Sequence, residues 1–148
     1  MNTSATDLSR QLLAERTAVE TLYRAFSDNN PDLVDTVLAP DWNDIPLGPG
    51  QEPGPAGIKP IIRGLVAAMP DLTVTIKDWV QEPGKISVRS EIAGTHLGAI
   101  FGIEPTGKKV LLRLFEFHVL SNGLITTTWH IEDWLGLFQQ LGAFPPQH

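Results

Sequence analysis

The hydrophobic period of this chain changes at Pro70-Asp71, and that change limits the folds open to it. Before it, apolar residues recur at helical spacing; after it, they alternate with polar ones. Helices first and then strands joined by short turns predict an α+β domain built on an antiparallel sheet. The 148 residues suit one domain, with a core from about residue 8 to 143, and no internal repeat divides it.

Ser4 to Asp28 predicts a helix, with Leu12, Val19, Leu22, Tyr23 and Phe26 on one face and Ser4 with Asp7 as a capping box. Asn30-Pro31-Asp32 starts a short second helix, which Pro40 ends. Between Trp42 and Gly57, prolines alternate with glycines, which predicts irregular structure: a lid over a pocket or a solvated connector. Ile58 to Met69 is a third helix. Strands follow from Leu72, with turns at Pro83-Gly84-Lys85, Pro105-Thr106-Gly107-Lys108 and Ser121-Asn122-Gly123. The last strand runs from Leu124 to Glu132, and a final helix ends at Gly142.

Several function classes are set aside by composition. The net charge is -6 and no block of Lys or Arg forms a footprint for nucleic acid. No apolar run approaches the ~20 residues that span a bilayer, and no secretory leader is evident at the N-terminus, so the cytoplasm is the expected compartment. Cysteine is absent, which removes thiolate chemistry and disulfides. No His-x-His or His-Glu-x-x-His motif occurs, so no metal is expected. No Gly-rich phosphate loop or nucleophile elbow is present, and no cofactor is implied.

What remains is a set of ionisable residues inside apolar strands, where burial is costly unless the group is paired or used. Glu116 and His118 lie two apart and share a strand face with Val110, Leu112, Leu114 and Leu120, a plausible acid/base couple. On an unbroken strand Asp133 shares the face of Trp129 and Ile131, where an apolar wall raises a carboxyl pKa; it also stands where an N-cap for the last helix belongs. His96 ends a strand, as a pocket ligand or a satisfied strand-end histidine. Arg89 and Arg113 are expected to pair with Glu91 and Glu116. His130 alternates to the face opposite Trp129 and is expected outside the pocket. One layer of helices on a sheet leaves room for a small molecule between the layers.

An ordered set of markers runs through the chain: Asp41-Trp42-Asn43-Asp44, Met69-Pro70-Asp71-Leu72, Arg89, Gly94-Thr95-His96-Leu97-Gly98, Phe101-Gly102, Pro105-Thr106-Gly107-Lys108, Trp129, Asp133 and Gln140-Leu141-Gly142. In this order they resemble the SnoaL-like polyketide cyclases of the NTF2-like superfamily, from about Glu15 to Gly142. The resemblance implies an NTF2-like cone, with N-terminal helices packed on a curved antiparallel sheet and a C-terminal helix, in a homodimer or homotetramer. It also implies cofactor-independent aldol cyclisation of a hydrophobic carbonyl or polyketide-like molecule in an apolar cavity. Asp133 would then be the general acid/base, with His118 and His96 polarising the carbonyl, and Trp42, Asn43, Asp44, Arg89, Glu116 and Trp129 contacting substrate. Asp44 stands where relatives often carry His, and Thr127-Thr128 where acidic residues or His are frequent. Two other readings stay open: a ketosteroid-isomerase-like proton shuttle, for which Tyr23 is the only tyrosine, and a non-catalytic protein that binds a small apolar ligand.

Overall fold

A computed structural model of the chain describes residues 4–147. Helix α1 (Ala5–Ser27) starts at Ser4, whose hydroxyl accepts from the Asp7 backbone N–H, so the capping signal at Ser4 is used as read. A 3-10 helix (Pro31–Thr36) follows, and then β1 (Leu38–Ile45), α2 (Pro55–Ala68), β2 (Thr73–Glu82), β3 (Lys85–Thr95), β4 (Lys109–Ser121), β5 (Leu124–Glu132) and α3 (Trp134–Leu141). No helix among the described residues is long and apolar enough to cross a membrane.

The sheet order is β1-β5-β4-β3-β2. Three of its four pairings are antiparallel, but β1 runs parallel to β5, so the sheet is mixed rather than wholly antiparallel. Strand β1 is also a correction to the expected irregular run from Trp42: the irregular segment covers only residues 46–54. Pro40 sits inside this strand. It is tolerated there because β1 is an edge strand and its pairing is irregular between Leu38 and Asn43.

All three helices lie on one face of the sheet. One core cluster joins Val19, Leu22 and Tyr23 of α1 and Ile62 of α2 to Ile86, Val88, Leu120 and Ile125 of the strands. A second joins Met69, Ile92, Leu112 and Leu114 to Leu137 and Leu141 of α3. The opposite face carries no helix among the described residues. There Val80, Phe115, Phe117, Trp129 and Ile131 are exposed. The Phe117 and Trp129 rings meet edge to face at 6.1 Å, and an open depression of about 290 Å³ lies among Ile45, Pro46, Phe115, Phe117, Trp129 and Ile131. This hollow opens on the uncovered face rather than in the expected place between helices and sheet, and Glu116 and His130 also line it.

Candidate functional site

Strand alternation places Glu116 and His118 of β4 on the helix-covered face, between Leu114 and Leu120. The antiparallel register sets Glu116 opposite His130, and His118 opposite Thr128. Parallel pairing then brings Asp44 of β1 beside Thr128. Three strands thus contribute ionisable and polar groups to one buried row, and α1 lowers Tyr23 onto it.

These groups form two connected networks. The first runs through His118, which is fully buried. Its Nε2 is 2.9 Å from the Tyr23 hydroxyl, and its Nδ1 is 2.9 Å from Thr128 Oγ1. The Trp42 indole N–H donates to the same Thr128 oxygen at 3.0 Å. Glu116 Oε2 lies 3.4 Å from His118 Nε2. The second network centres on His130. Its Nδ1 is 2.6 Å from Glu132 Oε1; its Nε2 is 3.1 Å from Asp44 Oδ1 and 2.9 Å from the Pro46 carbonyl oxygen. Gln51 donates to the other oxygen of Asp44 at 2.7 Å and accepts from the Gly48 N–H. The Pro/Gly-rich segment is therefore tied directly to the buried row.

Environment drives these groups apart in protonation. Burial pushes the Glu116 carboxyl up to about 8, against the opposing pull of the His130 charge. Burial pushes His118 down to about 3, and the neighbouring His130 charge adds to that. Burial works against a charge on His130 too, but its hydrogen bonds to Asp44 and Glu132 overcome it and raise His130 to about 10. Tyr23 is held well above its ordinary value by burial and then by Glu116. At neutral pH the row holds a neutral carboxylic acid, a neutral imidazole and an imidazolium. The close approach of Glu116 to His118 is therefore a contact between neutral groups, not an ion pair. Divergent values within one buried cluster mark acid/base candidates.

The residues singled out in the sequence fall in several places. His118, Glu116, Trp42 and Asp44 come together here. His130, expected on the far side of the strand, is at the centre; the alternation was right and the assignment of faces was inverted. Trp129 is on the uncovered face, and Asn43 is exposed. Arg89 is on that face too, paired with Asp78 across β2 and β3 at 2.7 Å rather than with Glu91 or Glu116.

Asp133 does not share a strand face with Trp129. The strand ends at Glu132, and Asp133 is an exposed N-cap whose Oδ1 accepts from the Gly136 N–H at 2.9 Å. A Cβ at Gly136 would lie 2.7 Å from the Asp133 Cγ, so glycine there makes room for the cap. His96 is buried, but in the α3 cluster rather than beside His118.

Tyr23, Thr128 and Glu132 join the site too: the sequence named Tyr23 only as the lone tyrosine of the isomerase reading, Thr128 only as a departure from the family pattern, and Glu132 only as a strand end. Tyr23 reads as an ordinary core position of an amphipathic helix. Thr128 and Glu132 share strand parity with His130, which was the available signal.

A family profile described as SnoaL-like polyketide cyclase matches residues 16–141. Among solved structures, TsrD from Streptomyces laurentii superposes with a TM-score of 0.82 at 29% identity, covering 89% of this chain and 97% of its own. IdmH from Streptomyces antibioticus, a candidate polyketide cyclase, gives 0.76 at 26% identity, covering 87% and 99%. A candidate polyketide cyclase from Bacillus cereus gives 0.77 at 25% identity, covering 87% and 80%. No protein of curated function matches the chain.

Proposed function

Because the chain belongs to the SnoaL-like polyketide cyclase family, we propose that it is a cofactor-independent acid/base enzyme that closes a ring in a hydrophobic polyketide-like carbonyl compound, using the row Glu116–His118–His130 rather than Asp133. The observation that carries this reading is the triplet Asp44–His130–Glu132, a cation held between two carboxylates on the covered face of the sheet, with Asp44 buried and His130 and Glu132 half-buried. In an aldol step the Glu132 carboxylate of this triplet takes the proton alpha to a carbonyl. The enolate carbon forms a bond to a second carbonyl carbon. The alkoxide that results takes a proton from the His130 imidazolium, and the 2.6 Å contact with Glu132 returns the first proton to His130. A positioned base of this kind contributes ~10²–10⁴-fold. Tyr23 and neutral Glu116 supply hydrogen-bond donors for an oxyanion.

Residues 46–54 act as the lid in this reading. The Pro46 carbonyl occupies His130 Nε2, and Gln51 occupies Asp44, so a substrate oxygen replaces the former when the segment lifts. A second copy of the chain is proposed to cover the exposed apolar face of Phe115, Phe117, Trp129 and Ile131, in a homodimer or a homotetramer built from it.

The isomerase reading keeps support from one observation. The only tyrosine stands beside a carboxyl that burial holds neutral, a donor pair suited to a dienolate oxygen. The binding-protein reading is favoured by the exposed, capping position of Asp133.

One assay separates the three. A poly-β-ketone ester and a β,γ-unsaturated ketone are offered to the wild type and to His130→Gln, Glu132→Gln and Asp133→Asn. Cyclised product lost in the first two variants and kept in the third supports the proposal. Double-bond migration alone selects the isomerase. Calorimetric binding of the ester with neither product selects the binding protein.

A further inference from the structure

Trp42, Thr128, His118 and Tyr23 are all buried, and their polar atoms form one continuous series of hydrogen bonds. Its direction follows from its first member. An indole N–H donates and never accepts. Trp42 Nε1 therefore donates to Thr128 Oγ1, at 3.0 Å. The Thr128 hydroxyl has one proton of its own, and among the described residues its only other partner is His118 Nδ1, at 2.9 Å. That proton goes to Nδ1. A His118 ring protonated on Nδ1, neutral or charged, would leave the Thr128 proton buried and unanswered, a disadvantage of roughly tenfold to a hundredfold. Nδ1 is thus an acceptor, and the single ring proton of His118 sits on Nε2.

The rest of the series inherits this direction. The His118 Nε2–H donates to the Tyr23 hydroxyl oxygen, 2.9 Å away. Tyr23 cannot return its own proton to a nitrogen that already carries one. Its other polar neighbour is the Glu116 carboxyl, and the proton points there. Strand pairing sets this up: β1 runs parallel to β5 with Asp44 beside Thr128, which brings Trp42 to the same stretch, and the β4–β5 register puts Thr128 opposite His118.

Direction decides what Tyr23 can do. In the reverse order Tyr23 would donate into His118 and offer only lone pairs on the Glu116 side. An oxyanion needs donors there. We propose that Thr128, oriented by Trp42, is a positioning residue of the row: it fixes the tautomer of His118 and so turns the Tyr23 hydroxyl proton toward Glu116 and a substrate oxygen. Thr128 and Trp42 touch no reacting atom in this scheme; they act through His118. The substrate oxygen rests on the cyclase reading proposed above, whereas the direction of the hydrogen bonds does not.

The test uses full-length protein labelled with ¹³C,¹⁵N-histidine, with the His118 ring assigned through its backbone. At pH 7 the wild type should show His118 as one neutral tautomer, protonated on Nε2 and bare on Nδ1. Thr128→Val keeps the side-chain shape and deletes the link. Both ring nitrogens of His118 should then move toward the averaged values of exchanging tautomers, and Thr128→Ser should restore the wild-type pattern. With the poly-β-ketone ester, Thr128→Val should lower kcat about tenfold or more at unchanged KM, because a transition-state donor is misdirected and no substrate contact is lost; Thr128→Ser should recover it. A wild-type ring protonated on Nδ1 overturns the proposal, whether or not the variants fold. Unmoved His118 nitrogens or an unchanged kcat in Thr128→Val overturn it too. A wild type that never cyclises the ester removes the cyclase reading, while the tautomer spectra still decide the direction of the series.

Discussion

The hydroxyl of Tyr23 on α1 lies 2.9 Å from Nε2 of His118 on β4, across 95 residues of sequence. Through it the first helix is joined to the ionisable row of the sheet, because Tyr23 also meets Glu116. Tyr23→Phe should therefore cost about 1–3 kcal/mol, the penalty for buried polar partners left unsatisfied. Urea denaturation at pH 7 measures it. If Tyr23 is also an oxyanion donor, turnover should fall by ~10²–10³.

Stability should be nearly level between about pH 4.5 and 6.5 and fall on either side, because three groups titrate with displaced values and the His118 gain and Glu116 loss cancel across that interval. His118 is depressed to about 3, so its contribution rises with pH up to the unfolded value near 6.5. Glu116 is raised to about 8 from about 4.5, so stability is lost across that interval as the pH climbs. His130 is raised to about 10, so its contribution is complete below 6.5 and disappears as the pH passes through 10. Above 6.5 only losses remain. Thermal melts between pH 4 and 10.5 test this: Glu116→Gln should gain on the wild type between pH 4.5 and 8 and then keep a constant offset.

His130→Gln removes the cation shared by Asp44 and Glu132. Its melting temperature should be lower than that of the wild type at pH 7, and the gap should close as the pH passes 10, where His130 is neutral in the wild type too. A gap that is constant with pH would mean that the charge on His130 adds no stability.

Asp133→Asn should leave both fold and turnover within about twofold, since Asn also caps helices and the side chain is outside the buried row. Asp133→Ala should cost about 1 kcal/mol through the lost cap alone. The family resemblance assigns Asp133 the acid/base role, and on that assignment the Asn variant would be inactive. A single rate measurement decides between them.

Ile131→Arg and Phe115→Arg place charge on the uncovered face of the sheet without touching the helix-covered core. If a second copy packs there, analytical ultracentrifugation should show the wild type as a dimer or larger and both variants as monomers with unchanged melting cooperativity. A monomeric wild type removes the dimer proposal.

Local rules carried most of the architecture. Ser4, Asp133 and Gly142 cap their helices through their own side chains or backbone, and the Asn122-Gly123 turn has both residues at positive φ, as a tight hairpin requires. Period-two alternation likewise placed Glu116 and His118 on one face with the leucines of β4. These signals act within a few residues, so they are legible in the order of the chain.

Tertiary structure alone decided which face of the sheet the helices cover, and with it the site. Alternation says that Trp129 and His130 point apart; it does not say which points inward. Hydrophobicity misleads here, because the bare face carries Phe115, Phe117, Trp129 and Ile131, while the covered face takes His130 and Glu132. Strand β1 escaped for a related reason. Pro40 removes a backbone donor, which argues against a strand, and only the parallel partner β5 and an irregular edge make it acceptable. The pairing of β1 with β5 brings Asp44 to His130 across 86 residues of chain, and no local rule encodes such a contact: it depends on register between strands distant in sequence.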